Sequence, residues 1–176
     1  IQNGTDARFC ALLEGRPDAA ELFDPFTVVV TKAGGKSAGD AATDDLETVA
    51  YSAAYRADME QVSAKLTAAS AAILDPTEGP LKLYLAVAAE SFLSNDWQPA
   101  DEAWARMTAT NSKWYLRIGP DETYSEPCSR KALFHVSFAR INPQGLEWQG
   151  KLEPRKAEME AALAKLAGPP YVARSV

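Results

Sequence analysis

The chain has 176 residues, of which 47% are hydrophobic and 24% charged, a composition typical of a globular domain with a hydrophobic core. Its net charge of −6 argues against non-specific binding of nucleic acid, which requires a basic surface. No apolar segment approaches the roughly 18 residues that a membrane-spanning helix needs, so we expect no membrane span.

The first quarter of the chain predicts short helices followed by an extended segment. Residues 5–22 contain spaced Leu and Phe side chains and are interrupted near Gly15 and Pro17, which indicates one or two short helices. The β-branched residues 27–31, TVVVT, predict a short strand. The Gly-rich residues 33–40 lack the spacing of a phosphate-binding loop, so we interpret them as an ordinary loop.

The middle of the chain is predicted to be helical. A long helix is expected over residues 44–73, because Asp44 and Glu47 have the spacing of a capping box and a broad apolar stripe follows. A second helix, from residue 78 or 80 to about 94, has a wide apolar surface that indicates a central place in the core. A third helix is predicted over residues 99–107.

The last third predicts one strand and two further helices. Apolar and polar residues alternate over 113–118, as in a half-buried strand that ends at Gly119-Pro120. A helix is expected over 129–141, and another from Glu153-Pro154 to Gly168. The inward residues of the first would be Leu133, Val136 and Phe138, with Phe134 as a further candidate. The predicted class is mainly α (α+β), one domain over residues 1–176 with about five to seven helices and one or two short strands.

Neither the cysteines nor the histidine form a recognisable metal or nucleophile motif. Cys10 and Cys128 form either one disulfide or two buried thiols, and the sequence leaves both alternatives open. His135 is the single histidine, so a self-contained zinc site or a catalytic triad has too few ligands or partners. We therefore predict no metal ligands in this chain and a structural or surface role for His135.

One acidic pair stands apart from the others. Asp121 and Glu122 follow a predicted strand, whereas the other pairs begin helices, where the helix dipole favours negative charge. The plainer interpretation is a polar turn that caps the helix predicted from Ser129. The alternative is a functional turn, in which Glu122 and Tyr124, two residues apart in an extended segment, project to the same side.

A resemblance favours the functional turn. The stretch from Trp114 to Asn142, WYLRIGPDETYSEPCSRKALFHVSFARIN, resembles the dipeptidyl peptidase III family of zinc metallopeptidases. The matching residues are Gly119, Glu122 and Tyr124, followed by Lys131, Ala132 and Phe134. His135 stands where the family usually has an acid. The resemblance is confined to about residues 112–167 and leaves the first hundred residues unmatched.

The resemblance implies a role for two residues. Family members have two lobes around a cleft, one with zinc on a helix and one with the Glu-x-Tyr element. Glu122 would then bind the free amino end of a peptide substrate through charge-assisted hydrogen bonds. Tyr124 would act catalytically, by donating a hydrogen bond to the oxyanion that develops on the scissile carbonyl.

The chain lacks the family's zinc motif, so the resemblance implies a fragment that is inactive alone. We expect it to be the N-terminal, substrate-binding lobe of a longer protein, whose remainder would be its partner and would carry the zinc. The alternative function is a non-enzymatic helical binding or assembly domain, in which the domain's own hydrogen bonds would fix Glu122 and Tyr124. The sequence leaves the cellular compartment open.

Overall fold

The structure is a computed structural model that describes residues 4–32 and 46–175. It divides the chain into two compact units, Ile1–Ala139 and Arg140–Val176. That residues 1–176 act as a single domain stays a prediction. The predicted Gly-rich loop over 33–40 and the capping residue Asp44 lie outside the described residues.

The first unit combines helices with two small sheets. Its elements are α1 (Gly4–Glu14), α2 (Ala19–Leu22), β1 (Thr27–Thr31), β2 (Leu46–Ala50), α3 (Tyr51–Ala54), α4 (Arg56–Ala72), α5 (Gly79–Ser94), α6 (Gln98–Ala105), β3 (Trp114–Glu122) and β4 (Leu133–Arg140). The mainly α (α+β) class is therefore confirmed. No helix in the described part of the chain is long and apolar enough to cross a membrane.

The core is built around α5, as the sequence predicts. Tyr84, Ala88 and Phe92 on this helix are almost completely buried, and α4 packs along one side. The Ser70 hydroxyl on α4 donates a hydrogen bond of 2.9 Å to the Lys82 carbonyl oxygen, which joins the two helices. A helix with an apolar surface as wide as that of α5 needs neighbours on several sides, and α4, α6 and β3 all pack against it.

Strand β2 corrects the predicted long helix. Strand β1 lies where the TVVVT stretch predicts a strand, and it pairs antiparallel with β2, with Thr27 opposite Ala50 and Thr31 opposite Leu46. The helix over 44–73 is therefore wrong in its first part, since α4 begins only at Arg56. Glu47 lies opposite Val30 in this sheet and caps no helix, because pairing with a distant strand outweighs a weak local preference.

Strand β4 corrects the helix predicted over 129–141. Leu133–Arg140 form a strand beside β3. The apolar residues Phe134, Val136 and Phe138 recur at every second position, which is the period of a strand. Leu133, Val136 and Phe138, predicted to face inward, are exposed.

Strand β3 confirms the predicted strand but not its predicted end. It continues through Gly119 and Pro120 to Glu122. Proline removes one backbone donor without preventing an extended conformation, so Pro120 is tolerated in this small sheet. The longer strand carries Asp121 and Glu122 at its end, rather than in a separate turn.

The second unit consists of α7 (Pro143–Leu152), a 3₁₀ turn (Glu153–Arg155) and α8 (Lys156–Ala167). Glycine disfavours a helix interior, yet α7 includes both Gly145 and Gly150. Asn142 caps this helix, with its side-chain oxygen accepting a hydrogen bond of 3.0 Å from the Gln144 backbone N–H. The last predicted helix is confirmed as α8, and it ends at Gly168, whose φ of 78° suits glycine.

Candidate functional site

The two residues selected from the sequence lie at the end of β3. Glu122 is the last residue of the strand and is half-buried, and Tyr124 follows in a turn with 76% of its surface exposed. Neither side chain makes a hydrogen bond or an ion pair with another residue that the structure describes. Both polar groups are therefore free to bind another molecule.

The turn that carries Tyr124 is held by Glu126. The Glu126 backbone N–H donates to the Thr123 carbonyl oxygen at 3.1 Å, which places Tyr124 at the corner of the turn. One carboxylate oxygen of Glu126 accepts hydrogen bonds from the backbone N–H groups of Cys128, Arg130 and Lys131, at 3.1, 2.9 and 3.3 Å. This single side chain therefore organises residues 123–131.

A disulfide connects the same loop to the start of the chain. Cys10 on α1 is bonded to Cys128, which decides between the two alternatives for the cysteines. A cysteine in a disulfide does not act as a nucleophile, because that role needs the free thiolate. The loop is consequently bound at one point to α1.

Lys131 connects the loop to β1. Its ammonium group donates hydrogen bonds of 2.7 Å to the Asp24 carbonyl oxygen and to the Thr27 hydroxyl. Burial lowers the pKa of the Lys131 ammonium, which the nearby Asp24 and Glu126 carboxylates only partly offset. Further along, the Tyr51 hydroxyl donates to the Ala132 carbonyl oxygen at 2.9 Å. The loop therefore has fixed points on both sides.

Asp121 is engaged in the protein, unlike its neighbour Glu122. The Arg117 guanidinium binds Asp121 through two hydrogen bonds and Asp101 through a third of 2.7 Å, and it lies 5.0 Å from the centre of the Trp104 ring. Burial lowers the pKa of Arg117, but the hydrogen bonds to Asp121 and Asp101 outweigh it and raise that pKa overall. The acidic pair does not cap a helix at Ser129, since no helix begins there.

His135 lies beside Asp121, and its predicted structural or surface role stays a prediction. It is half-buried in β4, with its Nδ1 atom 3.4 Å from a carboxylate oxygen of Asp121. Within the described ranges, no three His, Cys, Asp or Glu side chains converge as metal ligands, and both cysteines are in the disulfide. The described residues therefore do not fit a zinc ion.

An apolar cavity of about 450 Å³ lies beside His135. Its walls include Tyr55, Met59, Val62, Phe92, Ile118 and Val136. Two polar residues, Asp58 and His135, also line it. We call this cavity the β4 pocket. Its floor is packed, because the Phe134 ring stacks on Phe92 with ring centres 5.6 Å apart.

Sequence reasoning missed three parts of this site: Glu126, Arg117 and the β4 pocket. The segment Glu126-Pro127 carried a usable signal, since proline favours the second position of a turn and the Ser129 backbone N–H donates to the Glu126 carbonyl oxygen. Arg117 carried little signal, because Asp121 is close to it in the sequence but Asp101 and Trp104 lie on α6. The pocket carried none, because its walls come from elements that are distant in the sequence.

Comparison with known proteins gives three similar proteins, while no protein-family model matches the chain. Two solved structures of dipeptidyl peptidase III are similar. The one from Corallococcus sp. strain EGB has a TM-score of 0.65 and 25% identity, over 90% of this chain. The one from Caldithrix abyssi has a TM-score of 0.68 and 27% identity, over 88% of this chain. Nudix hydrolase 3 of Arabidopsis thaliana is 37% identical over 82 residues, or 47% of this chain.

The chain spans only part of each of these proteins: 27% of either solved chain and 10% of the plant protein. The structural similarity also extends well beyond residues 112–167, to which the sequence resemblance was confined. Over about nine tenths of its length, this chain resembles dipeptidyl peptidase III in fold.

Proposed function

We propose that this chain is the substrate-binding lobe of a peptidase that resembles dipeptidyl peptidase III. Support comes from two solved structures of that enzyme, which match at least 88% of this chain but extend far beyond it. In this proposal the chain acts together with the remainder of a longer protein. That remainder would supply a zinc ion, for which the described residues have no ligand set.

Glu122 would bind the free amino end of a peptide. Its carboxylate has no partner among the described residues, whereas the adjacent Asp121 is occupied by Arg117. A half-buried carboxylate binds an ammonium group more strongly than an exposed one, because less water competes with the charge-assisted hydrogen bonds. Glu122 would thereby select peptides with an unmodified amino end.

Tyr124 would donate a hydrogen bond to the carbonyl oxygen as negative charge develops on it. A donor aimed at that charge lowers the barrier only if it is already positioned before the reaction. The turn around Tyr124 is positioned by Glu126 and by the disulfide at Cys128. The observation that carries the proposal is this exposed phenol on a fixed turn, two residues from a free carboxylate.

The non-enzymatic alternative has less support. It expects the domain's own hydrogen bonds to hold Glu122 and Tyr124, and the described residues provide no such bond. It would regain support if peptides with a free amino end did not bind to this region.

The first test measures peptide binding to the chain itself. We expect Ala-Ala-Ala-amide to shift the NMR signals of residues 120–124, and its N-acetylated form to bind at least ten-fold more weakly. Glu122→Gln should abolish this difference, because the amide no longer attracts the ammonium group. Glu90→Gln, at an exposed position on α5, is the matched control. Equal binding of both peptides to the wild-type chain would contradict the role of Glu122.

The second arm tests Tyr124 in a longer protein that contains this chain. Tyr124→Phe removes only the hydroxyl, so kcat should fall at least ten-fold while KM changes little. Tyr115→Phe, at another exposed tyrosine on β3, is the control and should leave kcat within two-fold. An unchanged kcat in Tyr124→Phe would refute the role of the phenol.

A further inference from the structure

We infer that the β4 pocket binds an apolar side chain of the same peptide, within its first few residues. The inference rests on the proposed function, because the amino end at Glu122 defines where the peptide begins. It adds a specificity for large apolar residues, which nothing in the Glu-x-Tyr element itself provides.

The β4 pocket has the size and the accessible apolar walls of a ligand site. Its volume of about 450 Å³ lies within the range of about 300–1,000 Å³ that is typical of ligand sites. The Val136 and Tyr55 side chains at its edge are 64% and 44% exposed. Apolar surface in a concave site gains free energy when an apolar group displaces the water from it.

The pocket lies on the side of β3 to which Glu122 points. Ile118 lines the pocket and stands four residues before Glu122, so alternation along the strand directs both side chains to one face. Four residues of a strand span about 13 Å, and an extended peptide of about four residues covers the same distance. A peptide that begins at Glu122 therefore reaches the pocket within its first few residues.

The lining of the pocket contains an acid. This residue is Asp58 on α4, and a second acid, Glu122, lies on β3 four residues after the lining residue Ile118. An acidic peptide side chain would lose its hydration and be repelled by Asp58. The pocket should therefore favour Phe, Leu or Met, accept Ala weakly and exclude Asp.

The test compares three peptide amides with free amino ends: Ala-Ala-Ala-Phe, Ala-Ala-Ala-Ala and Ala-Ala-Ala-Asp. NMR titration of the 176-residue chain should show the Phe peptide binding about ten- to hundred-fold more tightly than the Ala peptide, as expected for burial of an aromatic side chain. Shifts should extend from Glu122 to Ile118 and Val136. Equal affinity for the Phe and Ala peptides would overturn the inference.

Two matched variants distinguish an effect of filling the pocket from an effect of changing strand β4. Val136→Phe extends an aromatic ring into the pocket and should abolish the preference for Phe over Ala. Ser137→Phe adds the same ring at the next position, on the opposite face of β4, and should preserve the preference. Both positions are exposed, so neither variant should lower Tm appreciably. If the two variants behave alike, the pocket is not the site.

The outcomes distinguish this inference from the proposed function. If acetylation weakens binding but Phe gives no advantage, Glu122 keeps its role and the pocket inference fails. If Phe is preferred and Val136→Phe abolishes that preference, but acetylation has no effect, the pocket is a site and the proposed role of Glu122 fails. Self-association of the chain that Val136→Phe disrupts would show a second copy as the occupant and would overturn the inference.

Discussion

At the scale of single residues, neighbouring side chains of the same type have different roles. Asp121 is held by Arg117 and contacts His135, while Glu122 has no partner in the described part of the chain. Alternation along β3 accounts for the difference, because consecutive side chains point to opposite faces. One acid stabilises the strand, and the other is available to bind a ligand.

Tyr51 is a second residue whose environment defines its role. Its hydroxyl donates to the Ala132 carbonyl oxygen, and burial raises its pKa from 10.0 to about 12. The folded state therefore holds the Tyr51 proton more tightly than the unfolded state does. The stabilisation is complete below pH 10 and is lost as the pH rises toward 12.

Tyr51→Phe should lower the free energy of unfolding at pH 7 by about 1–2 kcal/mol, because the buried Ala132 carbonyl loses its donor. Between pH 10 and 11 the wild-type protein should lose part of this advantage, and the difference between the two proteins should narrow. Urea denaturation at pH 7, 10 and 11 measures the difference in the free energy of unfolding between the two proteins, with Tyr55→Phe as an exposed control. A difference in unfolding free energy that stayed constant from pH 7 to pH 11 would contradict the raised pKa of Tyr51.

At the scale of elements, the end of the loop between β3 and β4 was wrongly predicted to be part of a helix over residues 129–141. The loop has little regular structure, yet Glu126 holds it together from within, Lys131 connects it to the start of β1, and the Cys128 disulfide connects it to α1. Backbone N–H groups that lack partners in secondary structure need other acceptors, and Glu126 supplies one for three of them. Side-chain contacts therefore hold the loop in place, where a strand would be held by the backbone hydrogen bonds of a sheet.

Glu126→Ala should accelerate hydrogen exchange at the amides of Cys128, Arg130 and Lys131 by at least ten-fold, because each loses its acceptor. Amides in α5 should exchange at the wild-type rate, since the helix lies outside this loop. Hydrogen–deuterium exchange followed by NMR measures both. Glu122→Ala is the matched control, and equal effects of the two variants would show that Glu126 does not organise the loop.

At the scale of the whole molecule, the disulfide joins residues that are farther apart in the sequence than those of any hydrogen bond found between described residues. It joins residues 118 positions apart, and it links α1 to the loop that follows the candidate site. A crosslink over such a distance restricts the unfolded chain strongly, which raises the free energy of the unfolded state. The disulfide thus stabilises the first unit and the turn that carries Tyr124.

Reducing the disulfide should lower the free energy of unfolding by about 3–5 kcal/mol. Denaturation with and without dithiothreitol measures the loss. A Cys10→Ser, Cys128→Ser double variant should match the reduced wild-type protein and should not respond to the reductant. Equal stability of the oxidised and reduced proteins would contradict a stabilising crosslink.

Local sequence was a good guide wherever one segment decided its own structure. The apolar pattern of α5 predicted a central helix, the β-branched stretch predicted β1, and alternation predicted β3. It failed at β2, a segment of mixed composition that is extended because β1 pairs with it. It also failed at β4, where apolar residues at every second position were interpreted with the period of a helix. Helical hydrogen bonds close within four residues, whereas those of a sheet depend on residues far along the chain.

The candidate site divides in the same way. By itself, the sequence determined the mainly α class and, through their spacing and the family resemblance, the choice of Glu122 and Tyr124 as candidates; that the chain does not bind nucleic acid non-specifically stays a prediction. Only the tertiary structure decided that the cysteines pair, that Arg117 occupies Asp121 and leaves Glu122 free, and that a pocket lies beside His135. The disulfide and the pocket depend on side chains from separate elements that meet in space, and the Arg117–Asp121 pair depends on the exact course of β3. The local sequence pattern encodes none of these contacts.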